Sequence, residues 1–168
     1  TPEHEAISQQ LVPEWRPEVR LEGKCRANVS NYGLNTFGDL FTSRQLTTLT
    51  TFSDLVLEAR GHARRNAEAA DVADDGLSLN AGGTGAAAYA DAVAVYLAFA
   101  VEKLIESHST ICTWSASPKN ELVVSTFRRQ AIPITWDFAE ANPFADSSGS
   151  LNKTIEAVVR VLTIAIPA

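Results

Sequence analysis

Apolar residues recur every three or four positions from Leu46 onward: Leu46, Leu49, Phe52, Val56 and Ala59 form one stripe, with Arg44, Gln45, Ser53, Asp54 and Glu58 largely off it. That period predicts an amphipathic helix with one face in a core. Its start is marked as well. Thr42 and Gln45 stand at capping-box spacing, and Phe41 and Leu46 at the spacing of a hydrophobic staple. The helix is therefore predicted to begin at Thr42 and to run to about residue 70, with Gly61 as a weak point. A denser run follows over residues 86–107. There Tyr89, Val93, Tyr96, Leu97, Ala100 and Leu104 share one side, while Ala88, Ala92, Val95 and Phe99 fill the rest. A helix apolar on nearly every face belongs at the centre of a fold. The two helices are expected to pack antiparallel as a long hairpin. Residues 71–85, rich in Asp and Gly, form the connecting loop and are the segment expected to be mobile.

Elsewhere the pattern is weaker. Residues 1–31 carry Pro2, Pro13 and Pro17 and little period, which predicts an extended lead-in with at most a turn of helix near 3–10 and places the start of the fold at about Tyr32. Trp114 is expected to bury a large surface, and Pro118 to open another helix or a turn. Leu122, Val123, Val124 and Phe127 fit a strand or a buried helix, with helix favoured after Pro118. Pro133 suits the first turn of a short helix through Trp136, Phe138 and Ala139. Residues 145–150 are a polar loop. Ile155, Val158, Val159 and Leu162 then predict a last helix over about 151–164, with a strand ending open at 162–166. The whole is mainly α: a helical bundle built on a long helical hairpin, with room for a few short strands, divided into a lead-in (1–31) and a single helical domain (32–168).

Composition narrows the chemistry. The 168 residues are 45% hydrophobic and 20% charged, which is globular, and the net charge of -6 argues against a free-standing binder of duplex DNA. A local basic patch stays open. The absence of methionine suggests a fragment of a longer protein. Cys25 and Cys112 form no CxxC; His108 and Cys112, four apart, read either as two ligands on one helix face or as a helix-terminal histidine and a small buried hydrophobe. No signal peptide or membrane span is legible, so a cytoplasmic protein without membrane partners is expected. His4, His62 and His108 accompany no nucleophile motif, which leaves a self-contained hydrolase poorly supported.

Two clusters could touch a partner. Arg128, Arg129 and Gln130, with Trp136 nearby, could hold phosphates and stack on a base. The simpler reading, which is favoured, has Trp136 in the core and the arginines paired with Asp137 and Glu140. Arg60, His62, Arg64 and Arg65 read as a DNA track or as a salt-bridged solvated face beside Glu58, Glu68 and Asp71. Asp39 is read as a turn residue. Ala81-Gly82-Gly83-Thr84-Gly85 precedes a helix, yet no apolar strand leads into it. A flexible linker with Thr84 as helix N-cap is the simpler reading.

The run YGLNTFGDLFTSRQLTTLTTFSDLV, from Tyr32 to Val56, resembles the middle of the large prokaryotic adenine-specific DNA methylases that carry a zinc ribbon. STFRRQAIPITWDFAEANPFADSSGS, from Ser125 to Ser150, is similar to wording that follows in that family, after an Ala/Tyr-rich helix. The resemblance implies an S-adenosylmethionine-dependent N6-adenine DNA methyltransferase with a glycine-rich cofactor loop and an Asp/Asn-Pro-Pro-Tyr catalytic loop. Neither motif stands intact here. Asn142-Pro143-Phe144 is the nearest approach to the catalytic loop; it lacks the second proline and reads as a helix stop. No zinc ribbon is encoded. Two functions are thus expected to compete. One is a helical insert or target-recognition segment, inactive alone, of an enzyme that binds S-adenosylmethionine and DNA elsewhere in its chain. The other is a helical module that docks on another domain or protein without touching nucleic acid.

Overall fold

The computed structural model describes residues 2–165. Helix α3, Ser43–Ala69, begins where the capping-box spacing requires. Thr42 Oγ1 accepts from the Gln45 N–H at 3.2 Å, and Gln45 Oε1 accepts from the Thr42 N–H at 2.9 Å, so two otherwise orphaned amides satisfy each other's side chains. The helix passes through Gly61 unbroken. It lies antiparallel against α4, Ala86–Ile105. The pairing is fixed by chemistry at both ends: Leu49 and Phe52 of α3 cluster with Val101 and Leu104 of α4, while Arg60 bonds Asp91 at the other end. Phe41, Val56, Ile105 and Leu151 close over that cluster. The last helix, α5 (Leu151–Ala165), packs on α4, with Ser150 fully buried at its start. It stays helical through Ala165, so no strand forms over 162–165, and Ile166 lies outside the described residues.

A second cluster sits below the hairpin, where Leu21, Val29, Leu40, Ile111 and Ile132 are all almost fully buried. Leu21 and Val29 come from the lead-in, which carries two short helices, α1 (Pro2–Gln10) and α2 (Gly23–Arg26). Its residues 17–21 run beside residues 35–38, through Leu21 N–H to Asn35 O, Phe37 N–H to Val19 O and Gly38 N–H to Pro17 O. This strand-like pairing brings Leu21 inward without helical periodicity.

Four local expectations are corrected. Residues 120–124 are a strand: β2 (Asn120–Val124) pairs antiparallel with β1 (Thr113–Ser117), and Pro118-Lys119 make the two-residue turn. Trp114, on this two-stranded ribbon, is 56% exposed rather than buried. No helix follows Pro133, because its backbone is committed to distant partners: the Ala139 N–H donates to Cys112 O, and the Thr135 hydroxyl to Ile111 O. Nor is Thr84 the cap of α4. Gly85 takes that position without a side-chain bond, and Asp74 in the preceding loop accepts from the Ala87 N–H instead.

Candidate functional site

Between α3 and α4 runs an open groove of about 700 Å³. Leu46, Leu49, Val56, Val101 and Ile105 supply its apolar lining, and the lead-in segment with Glu14, Trp15 and Pro17 forms a third wall. Trp15 is 63% exposed and Leu57 69%. Outside the groove lining, α4 also leaves Tyr89, Val95, Tyr96 and Phe99 exposed. A helix expected at the centre is thus covered by α3 and α5 and left bare on a remaining face. Phe99 packs edge-on against Tyr96, and both present their rings to solvent.

The basic residues are distributed, not gathered. Arg64 bonds Glu68 and Asp74, Arg60 bonds Asp91, and Arg44 makes a two-pronged pair with Glu140 at 3.0 and 2.5 Å. Arg65 is exposed on the same turn of α3 as Arg64. Arg128 and Arg129 lie at the opposite end of the hairpin, since Thr126 hydrogen-bonds the Glu106 carbonyl just past α4. The two ends are separated by the length of α4, roughly 30 Å at 1.5 Å per residue. The predicted pairing of Arg128 and Arg129 with Asp137 and Glu140 is not found among the described residues; Glu140 belongs to Arg44. Both arginines instead line one small cavity of about 210 Å³ beside Thr113 and Ser125. Gln130 accepts from Lys24 at 3.4 Å. Trp136 is 81% exposed, not core, and meets Tyr32 edge-on at 5.3 Å between ring centroids.

The glycine-rich loop is closed on itself. A Cβ on Gly83 would stand 2.3 Å from Leu77 O, and one on Gly85 2.6 Å from Ala73 O, so these glycines let the loop's own backbone approach. The loop's amides already have partners: the Gly82 N–H donates to Leu79 O, Gly83 to Ser78 O and Ala86 to Ala73 O. Asp75 accepts from the Thr84 and Leu77 N–H groups, and Asp74 from Gly76 and Ala87. The Gly76 N–H, followed by Ala87 and Arg64, holds Asp74 below the ordinary carboxylate pKa, and the Thr84 N–H does the same for Asp75. Asp91 is lowered chiefly by the Leu79 N–H and then by Arg60. These residues do not fit a methyl-donor or nucleotide cradle.

Asn142-Pro143-Phe144 ends no helix. Asn142 Oδ1 accepts from the Phe144 N–H at 3.0 Å, closing an Asx turn. Phe144 is 78% exposed and packs on Phe52 at 5.8 Å. This turn borders a cavity of about 390 Å³ that also meets Arg44, Gln45, His108 and Glu140. His108 lies beyond the end of α4 and is buried. Its Nδ1 is 2.7 Å from the Leu104 carbonyl, which can only accept, so Nδ1 carries the proton. His108 Nε2 and Gln45 Nε2 are buried without partners among the described residues. Cys112 is fully buried against Thr126, Ser109 and the Glu106 carbonyl, and it does not share a helix face with His108. No group of three metal-ligating side chains exists among the described residues, and no described helix is long and apolar enough to cross a membrane.

Sequence reasoning found the hairpin that makes the groove and missed the groove itself, because Trp15 and Glu14 belong to a segment without period. The signal available was α4: its apolar surface exceeds what one partner helix can cover. Compared with known proteins, the chain matches no family model, no curated protein and no solved structure.

Proposed function

We propose that this chain is a helical docking module whose working surface is the apolar groove between α3 and α4. The observation that carries this reading is that groove, open and lined by Leu46, Leu49, Val56, Val101 and Ile105, on a molecule whose α4 also leaves Tyr89, Val95, Tyr96 and Phe99 in solvent. Open apolar surface rimmed by polar residues marks interaction sites. The distribution of the arginines supports the same conclusion, because Arg44, Arg60 and Arg64 are held by carboxylates. The resemblance of residues 32–56 and 125–150 supports a setting for such a module: a segment of an S-adenosylmethionine-dependent adenine-N6 DNA methyltransferase, with the donor bound and the base methylated elsewhere in that protein. In that setting the surface docks on other domains of the same enzyme.

A second reading has its own observation. Arg128 and Arg129, without carboxylate partners among the described residues, stand near exposed Trp136, Tyr32 and Lys24, a combination suited to a single nucleic-acid strand. Fluorescence anisotropy with labelled single- and double-stranded DNA across a salt series separates the two. The docking reading expects no saturable binding of either. Binding that weakens steeply with salt and disappears in R128A/R129A would replace it with strand recognition. An apolar-surface dye gives the positive arm: its binding is expected to fall in L57E, and an unchanged signal counts against the groove.

A further inference from the structure

We infer that the groove receives an amphipathic helix carrying Lys or Arg on both flanks of its apolar stripe. This rests on the docking reading and adds the partner's chemistry. The groove's three walls each contribute a carboxylate at the rim: Asp54 from α3, Glu102 from α4 and Glu14 from the lead-in. All three are exposed, and none lies within ion-pair distance of a cation among the described residues. Four other acids of the hairpin are neutralised in place, Asp91 by Arg60, Asp74 and Glu68 by Arg64, and Glu106 by Lys103. Asp54, Glu102 and Glu14 thus set three unpaired carboxylates around the opening of the apolar lining. An apolar trough edged by unpaired negative charge is complementary to an apolar stripe edged by positive charge.

The walls also select the form of the occupant. They are two helices and a proline-bearing segment, so no sheet edge is offered to an extended peptide. A volume of about 700 Å³ has room for a row of apolar side chains projecting from successive turns of a helix, at i, i+3 or i+4, and i+7. The partner's polar back remains in water. Trp15, more than half exposed at the mouth, is placed to close over such a row.

The test uses the full chain carrying W114F/W136F, so that Trp15 is its only tryptophan. The probe is a leucine-lysine helix of about 18 residues, five turns, with leucines on one stripe. Matched peptides carry glutamine or glutamate in place of lysine. The lysine peptide is expected to bind and shift Trp15 emission to the blue, with affinity that falls as salt rises. Reversing the rim in D54K/E102K should weaken it about tenfold or more and let the glutamate peptide bind instead. Equal binding of the lysine and glutamine peptides, insensitive to salt, overturns the basic partner and leaves docking standing. No response to any of the peptides from a monomeric chain overturns docking as well. A dimer that L57E converts to monomer makes the occupant a second copy, which also overturns the basic helix.

Discussion

Replacing Leu104 by alanine tests the packing that creates the groove. Leu104 is fully buried in a cluster with Leu49, Phe52 and Val101, and Ile105 and Leu151 pack beside it. The substitution removes the apolar contact and leaves a cavity that neighbours on two helices can only partly fill. Buried Leu→Ala changes cost about 2–5 kcal/mol, and a site enclosed on all sides belongs near 3. For a chain of this size, each kcal/mol moves Tm by about 2–4 °C, so L104A should melt about 6–12 °C lower. L57A, at a position 69% exposed, should stay within about 0.5 kcal/mol of the parent. Urea unfolding followed by circular dichroism at constant m-value measures both. The pair L49A and L104A, one on each helix, should show an interaction energy of about 0.5 kcal/mol or more in a double-mutant cycle. Strict additivity, or an L104A cost no larger than that of L57A, would mean that the helices do not meet through these side chains.

Gly61 lies inside α3, where a Cβ would meet only the tip of Arg65 at 3.4 Å, so G61A should stabilise by about 0.5–1 kcal/mol, read from the urea midpoint. T42A should cost about 1 kcal/mol through loss of the cap, and T42S should restore most of it. Asp39 gives a pH dependence. Burial works to raise its pKa, but the N–H groups of Asn35 and Thr36, the Thr36 hydroxyl and Arg16 together leave it lowered. A carboxylate whose folded pKa lies below its unfolded value, near 3.9, contributes stability that is present above that value and lost as pH falls through the folded pKa. D39N should therefore lower Tm at pH 7 and narrow its gap to the parent under acid conditions; a gap constant with pH would remove the carboxylate's role.

How much was legible depends on where each segment finds its partners. The start of α3 was readable because Thr42 and Gln45 satisfy each other across one turn, and the hairpin because each helix carries its own period. The segment after Pro133 was misread because its hydrogen bonds go to Ile111 and Cys112, partners that local spacing does not reveal. The strand at 120–124 was missed because a short apolar run has no phase to distinguish strand from helix. Leu21 looked like a linker residue since its burial comes from pairing with residues 35–38, and Val29 because its segment carries no period. In the candidate site, the wall from α3 and α4 could be anticipated from their stripes, while the rim acids could not. Asp54 and Glu102 looked like ordinary solvent-facing charges until the helices were set side by side.

Amide chemical-shift mapping on the full chain tests most directly whether the groove, and not the arginines, is the working surface. On adding the leucine-lysine helix, shifts are predicted to concentrate at residues 46–57 and 98–105 and at Trp15, and single-stranded DNA is predicted to leave Arg128, Arg129 and Trp136 unmoved. Shifts at those three residues on adding DNA, with a groove silent to the helix, would contradict the account.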